Sequence, residues 1–108
     1  MRVLPPTLRD SVRYVAFEVI SDKIINARDM KNEILSATTS LLGDVGLTGL
    51  GFELISFDGQ KGLLRCRRSH TEDVRSVLAT IFNVKMYRLS VRVVGVSGTL
   101  AGAKEKYL

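Results

Sequence analysis

Residues 61–70 read KGLLRCRRSH and bring four basic residues, the single cysteine and the single histidine into ten positions. Cys66 and His70 have the types for metal ligation or for a thiolate–imidazole pair. Zinc, however, needs three or four protein ligands, and the chain has no other Cys or His to supply them. No cluster of carboxylates stands ready to complete a site. Strand alternation turns Cys66 toward the core as a small hydrophobe, while His70 falls at the start of a helix, so the pair is poorly placed for nucleophilic catalysis. We therefore assign neither a catalytic nor a metal-binding residue.

The arginines carry a different chemistry. If Leu64 and Cys66 face the core, Arg65 and Arg67 point outward. Strand alternation puts Arg88 and Arg92 on the same open side, with Tyr14 near them. Guanidinium groups pair with phosphates in a planar fork and stack on bases. Residues 61–108 hold ten Lys/Arg against three Asp/Glu, a balance of +7, whereas residues 1–60 sum to −2. So lopsided a field suits a polyanion. Lys61-Gly62 opens like the octamer of RNA-recognition motifs, but Leu63, Arg65 and Arg68 stand where stacking aromatics belong. The pattern points to backbone or shape recognition of a structured RNA, or to a charged protein interface. A merely solvated arginine face is the competing reading.

The elements that must hold these residues follow from periodicity. RYVAFEVI (13–20) alternates as a strand, with Val15, Phe17 and Val19 on one apolar face. Residues 26–43 have helical spacing, with Asn26 as cap and Gly43 as stop. The glycine-rich stretch 43–51 then reads as a flexible connection. It fails the dinucleotide fingerprint, since Leu54 replaces the third glycine and the order is helix-to-strand. FELISF (52–57) and residues 59–68 form a hairpin about Asp58-Gly59. Ser69 and Glu72 have capping-box spacing before a helix carrying Val74, Val77, Leu78 and Ile81. Residues 85–96 read as the last strand. The tail 97–108 adds a short helix capped by Thr99, where Ser97-Gly98-Thr99 either cradles a phosphate or simply forms a capped turn.

The order is β-α-β-β-α-β, an α+β ferredoxin-like or RNA-recognition-like sandwich. It predicts a four-stranded antiparallel sheet with both helices on one face and the other face open. The chain of 108 residues fits one domain (1–108), with residues 1–12 as an extended arm around Pro5-Pro6. One cysteine, no signal-like N-terminus and no long apolar run lead us to expect a cytoplasmic protein without a membrane span.

RYVAFEVISD near the start, GLLRCRR after the turn, VSGT after the last strand and the LPPTLR arm together resemble the ribonuclease P protein component 2 family of archaea. The match is densest at Arg13, Tyr14, Gly62, Leu64, Arg65, Cys66, Arg67, Ser97, Gly98 and Thr99. The resemblance implies an RNA-binding subunit that supports a catalytic RNA in removing the 5′ leader of precursor tRNA. The metal-dependent chemistry, and hence Mg2+, would belong to the RNA, with no cofactor on this chain. The implied partners are the ribonuclease P RNA, the TIM-barrel-like component 3 protein, other ribonuclease P proteins and a second copy of the chain, with precursor tRNA met indirectly. The candidate RNA-binding residues are thus Tyr14, Arg65, Arg67, Arg88, Arg92, Ser97 and Thr99. A homodimeric small-ligand-binding regulatory module of the same topology is the alternative, with its site at the glycine loop. It leaves the basic second half unexplained. An acylphosphatase-like enzyme ranks last, because ISDKIINA lacks the glycine and arginine of an anion-cradling loop.

Overall fold

The computed structural model describes residues 11–50 and 52–108, without the side chains of residues 44–50. The arm expected over residues 1–12 therefore lies mostly outside the described residues. Strand β1 (Val12–Ile20) runs through the middle of a four-stranded antiparallel sheet of order β2-β3-β1-β6. Its neighbours are β3 (Lys61–Arg67) and β6 (Ser90–Ser97), and β2 (Glu53–Phe57) forms one edge. Helices α1 (Ala27–Leu50) and α2 (Thr71–Ala79) cover one face. There Met30, Ile34, Val74, Val77 and Leu78 pack against Val15, Phe17, Val19, Leu64 and Cys66, all of them buried.

Local chemistry explains most of these elements. The Asn26 side chain accepts from the Arg28 N–H at 2.8 Å and its carbonyl from the Met30 N–H at 3.0 Å, which starts α1 as expected. Gly43 takes φ 75° and ψ −179°, outside the helical range, so the helix breaks there as expected; the backbone then turns helical again and stays so to Leu50. The flexible glycine connection is thus replaced largely by helix. Helix α2 starts later than the capping-box spacing suggests. A 3₁₀ turn over Arg68–His70 precedes it, and the cap position is His70, with no side-chain cap bond.

At the β2–β3 turn, the Asp58 carboxylate accepts from the Lys61 N–H at 2.7 Å and the Gln60 N–H at 2.8 Å, beside Gly59 at φ 103°. These bonds, that from Lys61 first, hold the Asp58 carboxyl below its usual pKa. Its folded-state pKa lies below the unfolded one. The stabilisation is therefore present above the unfolded value of 3.8 and is lost as the pH falls through the lower folded value. Asp58→Ala is expected to cost on the order of 1 kcal/mol near neutral pH. In urea melts that difference should shrink as the pH is taken well below 3.8.

Two expectations change in the C-terminal third. Residues 85–96 are not one strand. Strands β4 (Asn83–Val84) and β5 (Tyr87–Arg88) form a separate two-stranded ladder, turned at Lys85 with φ 55°, before β6 begins. Primed hairpin turns need such a positive φ, here supplied without glycine and braced by a 3.3 Å Lys85–Asp29 ion pair. The second face of the sheet is not open either. Helix α3 (Leu100–Tyr107) lies on it, with Ala103 buried against Ala16 and Leu63 and with Tyr14, Ile55, Leu100 and Tyr107 around them. Gly95 lets α3 approach, because a Cβ there would collide with the Tyr107 ring.

Candidate nucleic-acid interface

Register decides which arginines meet. On the α3 face Tyr14 sits between Arg65 of β3 and Ser97 of β6, and Val12 is opposite Arg67. Arg13 pairs with Cys66, and the Arg68 N–H donates to the Ser11 carbonyl at 2.6 Å. One end of the sheet thus collects Arg13, Tyr14, Arg65, Arg67 and Arg68 beside Ser97–Thr99. Glu18 lies between Lys61 and Arg92, four residues further along β1. That is about 13 Å from Tyr14 at the usual rise of a strand. Arg88 is further still, opposite Asn83 in the small ladder beyond the far end of β1. The expected single face of four arginines is therefore divided.

The arginines also differ in charge balance. Arg65 donates to Glu53 at 2.7 Å and Arg92 to Glu18 at 2.7 Å, both as cross-strand partners. Such exposed pairs add only roughly 0.2–1 kcal/mol to stability, but each carboxylate offsets the positive field next to it. Arg67 and Arg68 are exposed, and neither pairs with a carboxylate among the described residues. Arg13 is half-buried and gives one N–H to the carbonyl of Val12 at 2.8 Å. Arg67 and Arg68 are the most available cations at this end. Arg68 is the residue that strand reasoning passed over; its signal was the Arg67-Arg68 pair at the point where the strand stops.

Ser97 and Thr99 use their polar groups locally. Thr99 Oγ1 accepts from the Gly102 N–H at 3.0 Å, Ser97 Oγ accepts from the Thr99 N–H at 3.2 Å, and the Ser97 hydroxyl donates to the Thr99 carbonyl at 3.0 Å. The geometry is that of a capped helix start. Thr99→Ala should lower stability by about 1 kcal/mol and speed amide exchange in α3. The slope of RNA affinity against salt should not change, and a flatter slope would instead place Thr99 on a phosphate.

Cys66 is fully buried in the core. His70 Nδ1 lies 3.0 Å from an Asp73 oxygen on the first turn of α2. No three His, Cys, Asp or Glu side chains come together as potential metal ligands among the described residues. Nor is any described helix long and apolar enough to cross a membrane.

A four-stranded antiparallel sheet between α1 and α2 on one side and α3 on the other, with a basic end, defines a small α+β protein of the ferredoxin-like class. The chain belongs to the Rpp14/Pop5 family, whose model matches residues 13–108. It is 41% identical over 112 residues to a Pyrococcus abyssi protein named ribonuclease P protein component 2, covering 100% of this chain and 93% of that one. Proteins of the same name from Methanosarcina acetivorans and Archaeoglobus fulgidus are each 36% identical over 108 residues. Both alignments span this whole chain and cover 82% and 98% of the respective relatives. Among solved structures, a chain in the cryo-EM structure of yeast ribonuclease MRP superposes with a TM-score of 0.71 at 15% identity. The match covers 85% of this chain and 77% of that one, and it supports the fold.

Proposed function

We infer that this chain is a protein subunit of ribonuclease P, aiding the RNA in removing the 5′ leader of precursor tRNA, and that it grips the RNA through the basic end of its sheet. The observation that carries the reading is the register that sets exposed Arg67 and Arg68 beside Arg13 and Tyr14 in a chain of this family. Phosphates brought together by a folding RNA repel one another, and guanidinium groups at one rigid edge neutralise them with release of counterions. Arg65 and Arg92 join this work where a phosphate replaces their carboxylate, whereas Ser97 and Thr99 hold α3 in place. The bond-breaking chemistry rests with Mg2+ on the RNA. The chain works in the cytoplasm with the component 3 protein and further ribonuclease P proteins, and self-associates within that assembly. The regulatory-module alternative is not favoured, because its proposed ligand loop is helical to Leu50.

Competition binding tests this reading. The chain is expected to prefer ribonuclease P RNA over a structured RNA of equal length at 0.2 M salt. Equal affinity for both would overturn the assignment and leave only non-specific attraction.

A further inference from the structure

The three helices do not hold the sheet equally. Helices α1 and α2 set Met30, Ile34, Val74, Val77 and Leu78 into the core, whereas α3 has only Ala103 fully buried. The chain turns into α3 over exposed Gly98 and Thr99. Thr99 caps the helix from within: its Oγ1 accepts from the Gly102 N–H at 3.0 Å and its carbonyl from the Ala103 N–H at 3.1 Å. The start of α3 is therefore bonded without help from the sheet. Elements with few buried apolar contacts are those that open locally at low cost. What α3 covers has the shape of a seat for a flat ring. The Tyr107 ring lies over Gly95, where any Cβ would collide with it. Gly95 is opposite Ala16, and Ala16 is opposite Leu63, so the floor is level and apolar. Half-buried Tyr14 and Ile55 border it. The seat adjoins the basic end: Gly95 is two residues, about 7 Å, along β6 from Ser97, which shares its row with Tyr14 and Arg65.

We propose that the seat over Gly95 is a binding site for one unpaired RNA base, which Tyr107 fills in the free chain and vacates when α3 lifts from the sheet. A nucleobase is flat and apolar on its faces, as the phenol ring is, and it lies on Gly95 and Ala16 beside Tyr14 as that ring does. Its phosphates then fall toward Arg65 and Arg67, in the rows next along the sheet. Unpaired bases can be splayed onto such a surface, whereas a duplex keeps its bases stacked inside. The displaced helix carries Lys104 and Lys106 against Glu105 alone, so it does not repel the RNA that replaces it. The closed form lowers the apparent affinity for a single strand, because only the fraction with α3 lifted can take the base.

This inference rests on the ribonuclease P reading, in which Arg67 and Arg68 grip the RNA backbone, and it adds a base contact beside them. The test has two parts. Amide exchange follows α3 in the full wild-type chain, free and with ribonuclease P RNA bound. Filter binding then compares a short single-stranded RNA with a duplex of the same length, for wild type and for variants whose folding is verified by thermal melts. RNA is expected to speed exchange in α3. Tyr107→Ala empties the seat, so its affinity for the single strand should rise on the order of threefold to tenfold. Its affinity for the duplex should stay within about twofold of wild type. Adding Gly95→Val, whose side chain stands in the seat, should abolish the gain. Exchange in α3 that is slowed or unchanged by bound RNA overturns the site, and this measurement needs no variant. So does Tyr107→Ala that binds the single strand no better than wild type, that gains equally on the duplex, or that keeps its gain with Gly95→Val added. Wild type that binds ribonuclease P RNA while α3 stays protected overturns this site alone, whereas wild type that binds that RNA no better than a control RNA overturns the function as well.

Discussion

Alanine at both Arg67 and Arg68 is expected to weaken binding to ribonuclease P RNA by on the order of tenfold per arginine at moderate salt. The plot of log affinity against log salt should flatten by about 1.4–1.8, since each lost phosphate contact removes roughly 0.7–0.9 from the slope. Both side chains are exposed, so stability should move by no more than about 0.5 kcal/mol. Arg92→Ala is the internal comparison. Arg92 spends its charge on Glu18, and its removal exposes that carboxylate without deleting a free cation. The expected slope change there is smaller. If Arg92→Ala flattened the slope as much as the double variant did, the sheet end would not be the main contact. Filter binding from 50 mM to 400 mM salt would distinguish the two outcomes.

Gly62→Ala carries the largest expected effect on stability. Phe17 is buried over this glycine and stacks on Phe57, with centroids 5.9 Å apart and ring planes 15° apart. A Cβ at position 62 would enter the Phe17 ring. The ring cannot swing away, because Val93 lies opposite Phe17 on the other flank and the helices close the core above it. Overpacking of this kind costs roughly 1–3 kcal/mol, which for a domain of this size lowers the melting temperature by about 5–15 °C. Shortening the ring in Phe17→Leu should relieve part of the cost, so the double variant should be more stable than the two single costs predict. Strict additivity in thermal melts would show that the glycine matters for another reason. The site depends on this contact too. The β1–β3 register decides that Arg65 and Arg67 face away from α1 and α2, and a one-residue slip would turn both toward the core.

The sequence carried the topology well, because each of its signals acts over a few residues. The alternation of Val15, Phe17 and Val19, the Asn26 cap and the Asp58-Gly59 turn each specify local geometry, and each is present. Longer-range features were harder to read. Glu18 and Arg92 are 74 residues apart and become partners only through the register of β1 with β6, which shifts between Ala16 and Phe17. Strand alternation alone therefore puts Arg92 on the open side and carries no sign of its partner. Helix α3 could be read from Thr99 onward, but its docking depends on small residues, Ala16, Ala103 and Gly95, that carry no strong hydrophobic signal. The β4–β5 hairpin was hidden because its turn uses Lys85 at positive φ where Asn or Gly would be the usual marker. Alternation over residues 85–96 therefore puts Arg88 with the other arginines, whereas the hairpin sets it opposite Asn83 beyond the far end of β1. Gly43 marks the helix break correctly, yet its residue type carries no sign that a second helical stretch follows.

Reconstituted leader removal tests the subunit's role most directly. Ribonuclease P RNA is incubated with precursor tRNA at a Mg2+ concentration where the RNA alone is slow, with the component 3 protein and either the wild-type chain or Arg67→Ala/Arg68→Ala. Wild type should raise the cleavage rate above that of the RNA with component 3 alone, and the double variant should lose most of that gain at equal protein concentration. No gain from wild type would contradict the subunit assignment, and an undiminished gain from the double variant would contradict the basic end as the grip on RNA.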